Sequence, residues 1–176
     1  MKINRLVVGY LQENCYILEK DNKVLIIDPG DEFDRINNFI KSKEIVGILI
    51  THNHFDHIGA LKLLVDTYNV KVYDKSNLEE KDYQIEDFTF EVIYTPGHTK
   101  EEITYYFKKY KTMFTGDFLF QNSIGRCDLP GGNEEEMFSS LLKMKNYPED
   151  IIIYPGHGEK SILGMELNRY IWKKYI

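Results

Sequence analysis

The sequence predicts an α/β fold, in which short strands alternate with amphipathic helices. Runs of β-branched and aromatic residues recur along the chain, and between them lie segments whose apolar residues are spaced as on one face of a helix. Residues 45–50 form an apolar run rich in isoleucine, which is typical of a strand buried on both faces. No low-complexity segment or flexible linker interrupts the 176 residues, so we expect a single domain over residues 1–176.

The first part of the chain is predicted to contain four strands and two helices. The strands are residues 14–19, 24–27, 45–50 and 70–73. After the second strand, Asp31 is predicted to cap a helix. The apolar face of this helix would consist of Phe33, Ile36, Phe39 and Ile40. A second helix over residues 57–68 would bury Ile58, Leu61, Leu64 and Val65.

The second part of the chain continues the alternation. Its predicted strands are residues 88–94, 103–107, 112–114 and 151–154. Asn133 with Glu136 three residues later resembles a capping box, and we expect it to begin a helix. The apolar positions of that helix would be Phe138, Leu141, Leu142 and Met144. A closing amphipathic helix is expected over residues 162–175.

Composition and charge narrow the classes of partner. Hydrophobic residues make up 43% and charged residues 28% of the chain, and the net charge is -6 without any long basic run. This balance disfavours nucleic acid as a partner. No segment approaches the roughly 20 apolar residues of a membrane helix, and the N-terminus lacks the pattern of a signal peptide. With only Cys15 and Cys127, a disulfide framework is not expected, so we expect a cytoplasmic enzyme.

All five histidines fall in three short motifs. The motifs are Thr51 to His57 (which holds His52, His54, Asp56 and His57), Pro96-Gly97-His98 and Pro155-Gly156-His157. Asp117 follows another apolar run. A histidine after Pro-Gly is by itself usually a turn residue, but three imidazoles within six positions have little structural use. Neutral imidazole and carboxylate are the donors that borderline divalent ions prefer, so the set predicts a metal site.

These motifs resemble those of the metallo-β-lactamase superfamily. Residues 51–57 match its His-x-His-x-Asp-His signature, and the later Gly-His, Gly-Asp and Gly-His elements follow in its order over residues 28–158. Residues 116–132 look like the corresponding segment of short glyoxalase II-like hydrolases. The resemblance implies a four-layer αβ/βα sandwich of two mixed β-sheets flanked by helices.

The resemblance also implies a ligand set. His52, His54 and His98 would bind the first metal, Asp56, His57 and His157 the second, and Asp117 would bridge the two. The expected cofactors are two divalent ions, zinc or alternatively iron or a zinc–iron mixture. Asp56 and Asp117 are the predicted catalytic residues, since Asp56 would also orient a hydroxide shared by the metals.

Two further residues are predicted to act beside the metals. Asp28 resembles a buried aspartate that accepts a hydrogen bond from a ligand histidine, although Asp28-Pro29-Gly30 is also a plausible simple turn. Arg126 is predicted to bind a carboxylate of the substrate, and the alternative is a surface pair with Asp128.

The predicted activity is hydrolysis of a thioester of the hydroxyacylglutathione type, a small molecule. Longer glyoxalase II enzymes hold glutathione in a C-terminal helical region, and we expect no such separate domain here, which leaves the acyl group and thiol carrier open. Asp117 argues against true metallo-β-lactamases, which usually carry cysteine there. One alternative is a persulfide dioxygenase with a single iron on His52, His98 and Asp117, and another is a metal-binding protein without turnover.

Overall fold

A computed structural model describes residues 1–169, which form two mixed β-sheets. The first sheet has the order β1-β2-β3-β4-β5, with bounds Lys2–Val8, Glu13–Lys20, Lys23–Ile27, Glu44–Leu49 and Val72–Tyr73. The pairs β1–β2 and β2–β3 are antiparallel, whereas β3–β4 and β4–β5 are parallel. The change of direction at β3 arises because α1 (Phe33–Ile40) crosses from β3 to β4.

The second sheet is built from the rest of the chain. Its strands are β6 (Asp82–Ile85), β7 (Phe88–Tyr94), β8 (Ile103–Phe107), β9 (Thr112–Gly116), β12 (Ile152–Pro155) and β13 (Ser161–Ile162), in the order β13-β12-β9-β8-β7-β6. Among the described strands of this sheet, only β9 and β12 pair in parallel. The segments β10 (Leu119–Phe120) and β11 (Ser123–Ile124) form a separate small hairpin.

Helices cover the outer face of each sheet. They are α2 (Phe55–Ile58), α3 (Leu61–Tyr68), α4 (Glu134–Met144) and α5 (Leu163–Leu167), in addition to α1. The side chains of Leu18, Leu25, Phe90, Tyr105 and Phe114 belong to the core between the sheets. A second cluster joins the outer face of the first sheet to α1 and α3, and a third joins the outer face of the second sheet to α4 and α5. The predicted four-layer sandwich is confirmed.

Several predicted elements differ from the structure in their details. The helix predicted over residues 57–68 is two helices, because the chain breaks at Gly59-Ala60 and docks on the preceding turn. The Ala60 N–H donates to the Pro29 carbonyl over 3.0 Å. A Cβ at position 59 would lie 2.2 Å from the Gly30 carbonyl oxygen, so the break depends on two glycines in close contact.

The predicted cap of the first helix is wrong. Glu32, and not Asp31, precedes α1, and it has a left-handed φ of 52° without a side-chain cap. The Asp31 carboxylate instead accepts a hydrogen bond from the Glu32 N–H. At α4 the Asn133 cap is confirmed, since its side chain accepts from the N–H groups of Glu135 and Glu136.

The ends of the chain also differ from prediction. Strand β1 was not predicted, because an edge strand with only one fully buried residue lacks a strong apolar pattern. In α4, Leu142 was predicted to be buried but is 40% exposed, and Met137 is buried instead. Of the predicted closing helix, residue 162 lies in β13, α5 ends at Leu167, and residues 170–175 lie outside the described residues. Among the described helices none is long and apolar enough to cross a membrane.

Candidate metal centre

The predicted ligands meet where strands of both sheets end. His52 follows β4, His98 follows β7, Asp117 follows β9 and His157 follows β12. Asp56 and His57 lie in the short helix α2 directly after the His52 segment. Because these residues either follow a strand closely or lie in a helix, short segments of backbone hold the predicted ligands in place.

Two glycines permit this convergence. A Cβ at Gly97 would lie 2.4 Å from the Met137 Cα, so only glycine lets the loop before His98 pack on α4. A Cβ at Gly156 would lie 2.5 Å from both the Asp117 Oδ1 and the His57 Cε1. The glycine of each Pro-Gly-His motif therefore allows close packing beside the predicted ligands, in addition to chain reversal.

Three imidazole nitrogens form a first triad. The His54 Nδ1 lies 3.1 Å from the His52 Nε2 and 3.0 Å from the His98 Nε2. For Zn–N bonds of about 2.0–2.1 Å, tetrahedral ligand nitrogens lie about 3.3 Å apart. The triad thus has the spacing of a three-histidine metal site.

Asp56, His57 and His157 form a second triad. The His157 Nε2 lies 3.2 Å from the Asp56 Oδ2, and the His57 Nε2 lies 4.0 Å from the same oxygen. His57 is fully buried, whereas Asp56 and His157 are partly exposed. Solvent therefore reaches this triad on the side of Asp56 and His157, and not on the side of His57.

Asp117 lies between the two triads. Its Oδ1 is 3.3 Å from the His57 Nε2, and its Oδ2 is 3.6 Å from the His98 Nε2 and 3.7 Å from the His157 Nε2. Among the described residues, the buried atoms His57 Nε2 and Asp117 Oδ1 have no hydrogen-bond partner. Buried polar atoms are rarely left without partners, so these two fit ligands of a cation.

The outer nitrogens of four imidazoles each lie beside an oxygen acceptor. The pairs are His52 Nδ1 with Thr51 Oγ1 (3.1 Å), His57 Nδ1 with Asp28 Oδ2 (3.0 Å), His98 Nδ1 with the Arg126 carbonyl (2.7 Å) and His157 Nδ1 with the Leu11 carbonyl (3.1 Å). These contacts favour the tautomer that is protonated on Nδ1. The Nε2 lone pair of each ring then points into the centre, as a metal ligand requires.

Asp28 connects the two triads through Thr51. Its Oδ2 accepts from the Thr51 hydroxyl over 2.6 Å as well as from the His57 Nδ1, and its Oδ1 accepts from the Thr51 N–H over 2.8 Å. The structure thus places Asp28 where it orients His57. Thr51 in turn contacts His52, so one buried aspartate is linked to a histidine of each triad, directly to His57 and through Thr51 to His52.

The electrostatics of the cluster favour cation binding. Burial lowers the pKa of His52 and of His54, which keeps both rings neutral. Burial alone would also lower the pKa of His57, but the neighbouring Asp117 and Asp28 carboxylates outweigh it and raise that pKa well above its usual value. Burial opposes ionisation of Asp117, yet the His57 imidazole holds its pKa well below the usual range.

Two buried glutamates beside the centre were not predicted. The Glu102 Oε1 accepts from the Asp117 N–H over 2.9 Å and lies 3.5 Å from the His52 Nδ1. Glu13 is buried beside His57, and neither of its carboxylate oxygens has a hydrogen-bond partner within residues 1–169. Burial raises the pKa of both glutamates well above the usual value. Glu13 is the first residue of β2 and Glu102 immediately precedes β8. Charged residues are common at such positions, so the sequence carries no signal for these two.

The β1–β2 hairpin fixes the loop that carries His157. The Asn14 side-chain amide donates to the carbonyls of Pro155 and Gly158, both over 2.9 Å, and its N–H donates to the Gly156 carbonyl over 2.7 Å. The Tyr16 hydroxyl also donates to the Pro155 carbonyl. Asn14 was predicted only as a strand residue, because these partners lie far away in the sequence.

Arg126 and Cys127 lie on the loop next to His98. The Arg126 guanidinium makes two hydrogen bonds of 2.7 Å to Asp128 and is mostly exposed, while its carbonyl faces His98. Cys127 is partly buried against the α4 cluster, and Cys15 is fully buried under the first sheet. The two thiols thus belong to different layers.

Comparison with known proteins agrees with this geometry. The sequence pattern of the metallo-beta-lactamase superfamily matches residues 8–76 and 74–157. A probable metallo-hydrolase, YqgX of Bacillus subtilis, is 36% identical over 92% of both chains. Hydroxyacylglutathione hydrolase GloC of Haemophilus influenzae is 31% identical over 94% of this chain and 95% of that protein.

Solved structures show the same fold. The BLEG-1 B3 metallo-beta-lactamase superposes with a TM-score of 0.92 at 32% identity, over 96% of this chain and 97% of that one. TTHA1623, solved in a di-iron-bound form, gives a TM-score of 0.86 at 30% identity, over 94% and 97% of the two chains.

Proposed function

Because this chain belongs to the metallo-β-lactamase superfamily, we propose that it is a binuclear metallohydrolase that cleaves a thioester of the hydroxyacylglutathione type. The observation that carries the proposal is the position of Asp117 between two triads, with its Oδ1 buried and without a hydrogen-bond partner in the part of the chain that the structure describes. A relative that matches 94% of this chain over 95% of its own length is named hydroxyacylglutathione hydrolase. This name supports a thioester as the substrate.

The proposed ligands are those that converge in the centre. His52, His54 and His98 would hold one divalent ion, Asp56, His57 and His157 the other, and Asp117 both. Zinc suits this donor set, and the di-iron form of TTHA1623 makes iron or a mixture the alternative. When bound, two such ions lower the pKa of water towards neutrality and polarise a scissile carbonyl.

The residues of the chain contribute orientation and proton handling. The Asp56 side chain is partly exposed and its Oδ2 lies 3.2 Å from the His157 Nε2, where it would accept a hydrogen bond from the attacking water and fix its direction. Asp28, Thr51 and the backbone carbonyls hold the imidazoles in the tautomer that the reaction needs. The buried wall behind His57 and Glu102 excludes water from that side.

The first test is metal analysis of the purified protein together with a thioester panel. About two divalent ions per chain and hydrolysis of hydroxyacyl thioesters would support the proposal. A single tightly held iron with oxygen uptake on glutathione persulfide would identify the dioxygenase instead, which needs only His52, His98 and Asp117. Metal without any turnover would identify a binding protein.

β-Lactam hydrolysis is a second candidate function, because BLEG-1 is described as a B3 metallo-beta-lactamase and resembles this chain over nearly its whole length. The presence of Asp117 at the bridging position disfavours it. A chromogenic cephalosporin added to the same substrate panel tests for β-lactam hydrolysis. Turnover of the cephalosporin that exceeds turnover of every thioester would replace the first proposal.

A further inference from the structure

Glu102 lies where the segments that follow β4, β7 and β9 meet. It is fully buried and immediately precedes β8. The Thr95 N–H donates to the Glu102 carbonyl over 3.0 Å, and the N–H of the next residue, Ile103, donates to the Thr51 carbonyl over 2.9 Å. The backbone at residue 102 is therefore fixed between the segments after β4 and β7, which carry the histidines of the first triad.

The carboxylate of Glu102 reaches the third segment, which carries Asp117. Its Oε1 accepts a hydrogen bond from the Asp117 N–H over 2.9 Å. Strand β9 ends at Gly116, so this N–H lies beyond the hydrogen bonds of the sheet, and Glu102 is its acceptor among the described residues. A buried N–H without an acceptor is costly. The backbone position of Asp117 therefore depends on this carboxylate.

The same carboxylate also contacts the segments of two histidines. The Glu102 Oε1 lies 3.5 Å from the His52 Nδ1. The Oε2 accepts from the hydroxyl of Thr99 over 3.4 Å, and Thr99 directly follows His98. One buried side chain thus touches the segments that hold His52, His98 and Asp117.

Gly116 makes the close approach of Glu102 possible. Its φ is +50°, and a Cβ at this position would lie 2.3 Å from the Glu102 Oε1 and 2.5 Å from the Thr51 Oγ1. A larger residue would displace the carboxylate from the Asp117 N–H. The glycine before the aspartate therefore serves this hydrogen bond.

Glu102 differs from Asp28 in what its carboxylate holds. The described hydrogen bonds of the Asp28 side chain go to Thr51 and His57, whereas Glu102 bonds to Asp117 itself. The two side-chain oxygens of Asp117 face both triads. A shift of the backbone at Asp117 would therefore change the geometry of both.

We propose that Glu102 is a positioning residue that aims the Asp117 carboxylate at both metals, through its hydrogen bond to the Asp117 N–H. This inference rests on the proposed two-metal centre, and it assigns the aim of the bridging ligand to a side chain outside the ligand set. The role depends on where the acceptor oxygen lies and not on its charge. Substitutions that separate reach from charge therefore test it.

The test compares Glu102→Asp with Glu102→Gln. Aspartate keeps the carboxylate but is one methylene shorter, so its oxygen no longer reaches the Asp117 N–H, whereas glutamine keeps the length and an oxygen that accepts this bond. We expect Glu102→Asp to weaken both ions about 10–100-fold, the usual effect of losing a partner that orients a ligand, and Glu102→Gln to stay within about threefold of the wild type. Competition with a chelator measures both affinities.

Glu101→Asp and Glu101→Gln are the matched controls, because Glu101 is the exposed neighbour of Glu102. Both should bind two ions as the wild type does. Thermal melts of the metal-free variants, followed by circular dichroism, separate a loss of stability from a loss of affinity. If Glu102→Asp does not fold, Glu102→Leu replaces it with the same expectation, since leucine fills similar space without an acceptor.

Three results would overturn the inference. They are normal binding of both ions in the variant that lacks the acceptor, weakening of one ion alone, and equal weakening in that variant and in Glu102→Gln. The last result would show that the charge of Glu102, and not its reach, supports the metals.

Hydrogen exchange of the Asp117 amide, followed by NMR in the metal-free protein, provides a readout without metal or turnover. The amide should exchange slowly in the wild type and in Glu102→Gln, and at least about tenfold faster in Glu102→Asp. Exchange that is the same in all three proteins would overturn the inference. If the wild type binds fewer than two ions, the proposed function fails, whereas the amide exchange still decides whether Glu102 positions Asp117.

Discussion

The side-chain amide of Asn14 donates to the carbonyl of Pro155 over 2.9 Å, although 141 residues separate them in the sequence. The contact joins the first sheet to the end of β12 in the second. Asn14 is buried, and both protons of its amide are used, since the second goes to the Gly158 carbonyl. The loop between these two carbonyls carries His157, so the geometry of the second triad depends on the packing of the two sheets.

Asn14→Asp should weaken the second metal selectively. The aspartate has nearly the same shape but no amide protons, and its charge would repel the carbonyls of Pro155 and Gly158. Loss of a partner that orients a metal-binding loop typically costs about 10–100-fold in metal affinity. Metal titration by calorimetry should show one ion bound as in the wild type and one bound at least about tenfold more weakly.

Asn4→Asp is the control for this variant. Asn4 also donates from its side chain to a backbone carbonyl, that of Ile17, but this hydrogen bond lies within the first sheet. It should leave the affinity for both ions unchanged. If Asn14→Asp bound two ions normally, or lost both together, the selective role of this contact would be wrong.

Asp117→Ala should remove activity and weaken both ions, since its two oxygens face both triads. His54→Ala should weaken mainly the first ion, because His54 contacts His52 and His98 in that triad. Metal stoichiometry of the two purified variants separates these effects. Retention of two ions and near-normal turnover in Asp117→Ala would contradict the bridging assignment.

Activity should fall in acid. Protons compete with metals for imidazole nitrogen, so each ligand histidine that becomes protonated weakens binding as the pH decreases. The neighbouring carboxylates raise the pKa of His57, so in the metal-free cluster this ring holds a second proton up to a higher pH than an ordinary histidine. That second proton must leave before a metal binds, which also weakens metal binding as the pH decreases. Asp117 adds little to this loss, since its lowered pKa keeps it ionised in mild acid. Rates and metal content measured together from neutral pH downwards check this expectation.

A rate that stays constant down to about pH 5, well below the ordinary histidine pKa of about 6.5, would count against this mechanism. Circular dichroism at each pH is the control, because unfolding would also release the metals and lower the rate.

The parts of the fold that the sequence predicted are those with local signals. Strands β7 and β8 have the predicted bounds, since runs rich in aromatic and β-branched residues define them. The Asn133 cap of α4 is likewise local, because the side chain bonds to N–H groups two and three residues later. The resemblance to a known signature, rather than periodicity, supplied the ligand set.

The features that escaped prediction depend on contacts between distant segments. The break after α2 requires close contact between Gly59 and Gly30. Glu32, with its left-handed φ, stands where the cap of α1 was expected, and its side chain accepts hydrogen bonds from the Gly9 N–H and the Arg35 guanidinium. Glu102 bonds to Asp117 only because β8 and β9 are neighbours in the sheet. No pattern within a short window of the sequence contains these pairs.

The substrate-binding role predicted for Arg126 stays a prediction, and the structure supplies a sharper test of it. The guanidinium is held by two hydrogen bonds to Asp128, and the Arg126 carbonyl faces His98. If the side chain binds a carboxylate of the substrate, it must leave Asp128 to do so. Arg126→Ala should then raise KM for anionic thioesters roughly tenfold, the order expected for one charge-assisted hydrogen bond, and leave neutral thioesters and metal content unchanged.

Asp128→Ala is the matched variant for the same loop. It frees the guanidinium, so KM for anionic thioesters should decrease, because guanidinium no longer has to exchange one carboxylate for another. A structural role predicts a different pattern. Since the ion pair would then hold the loop whose carbonyl contacts His98, both variants would lower kcat/KM equally on neutral and anionic thioesters and would loosen the first metal. Steady-state kinetics on matched neutral and anionic thioesters, with metal analysis of each variant, distinguishes the two roles.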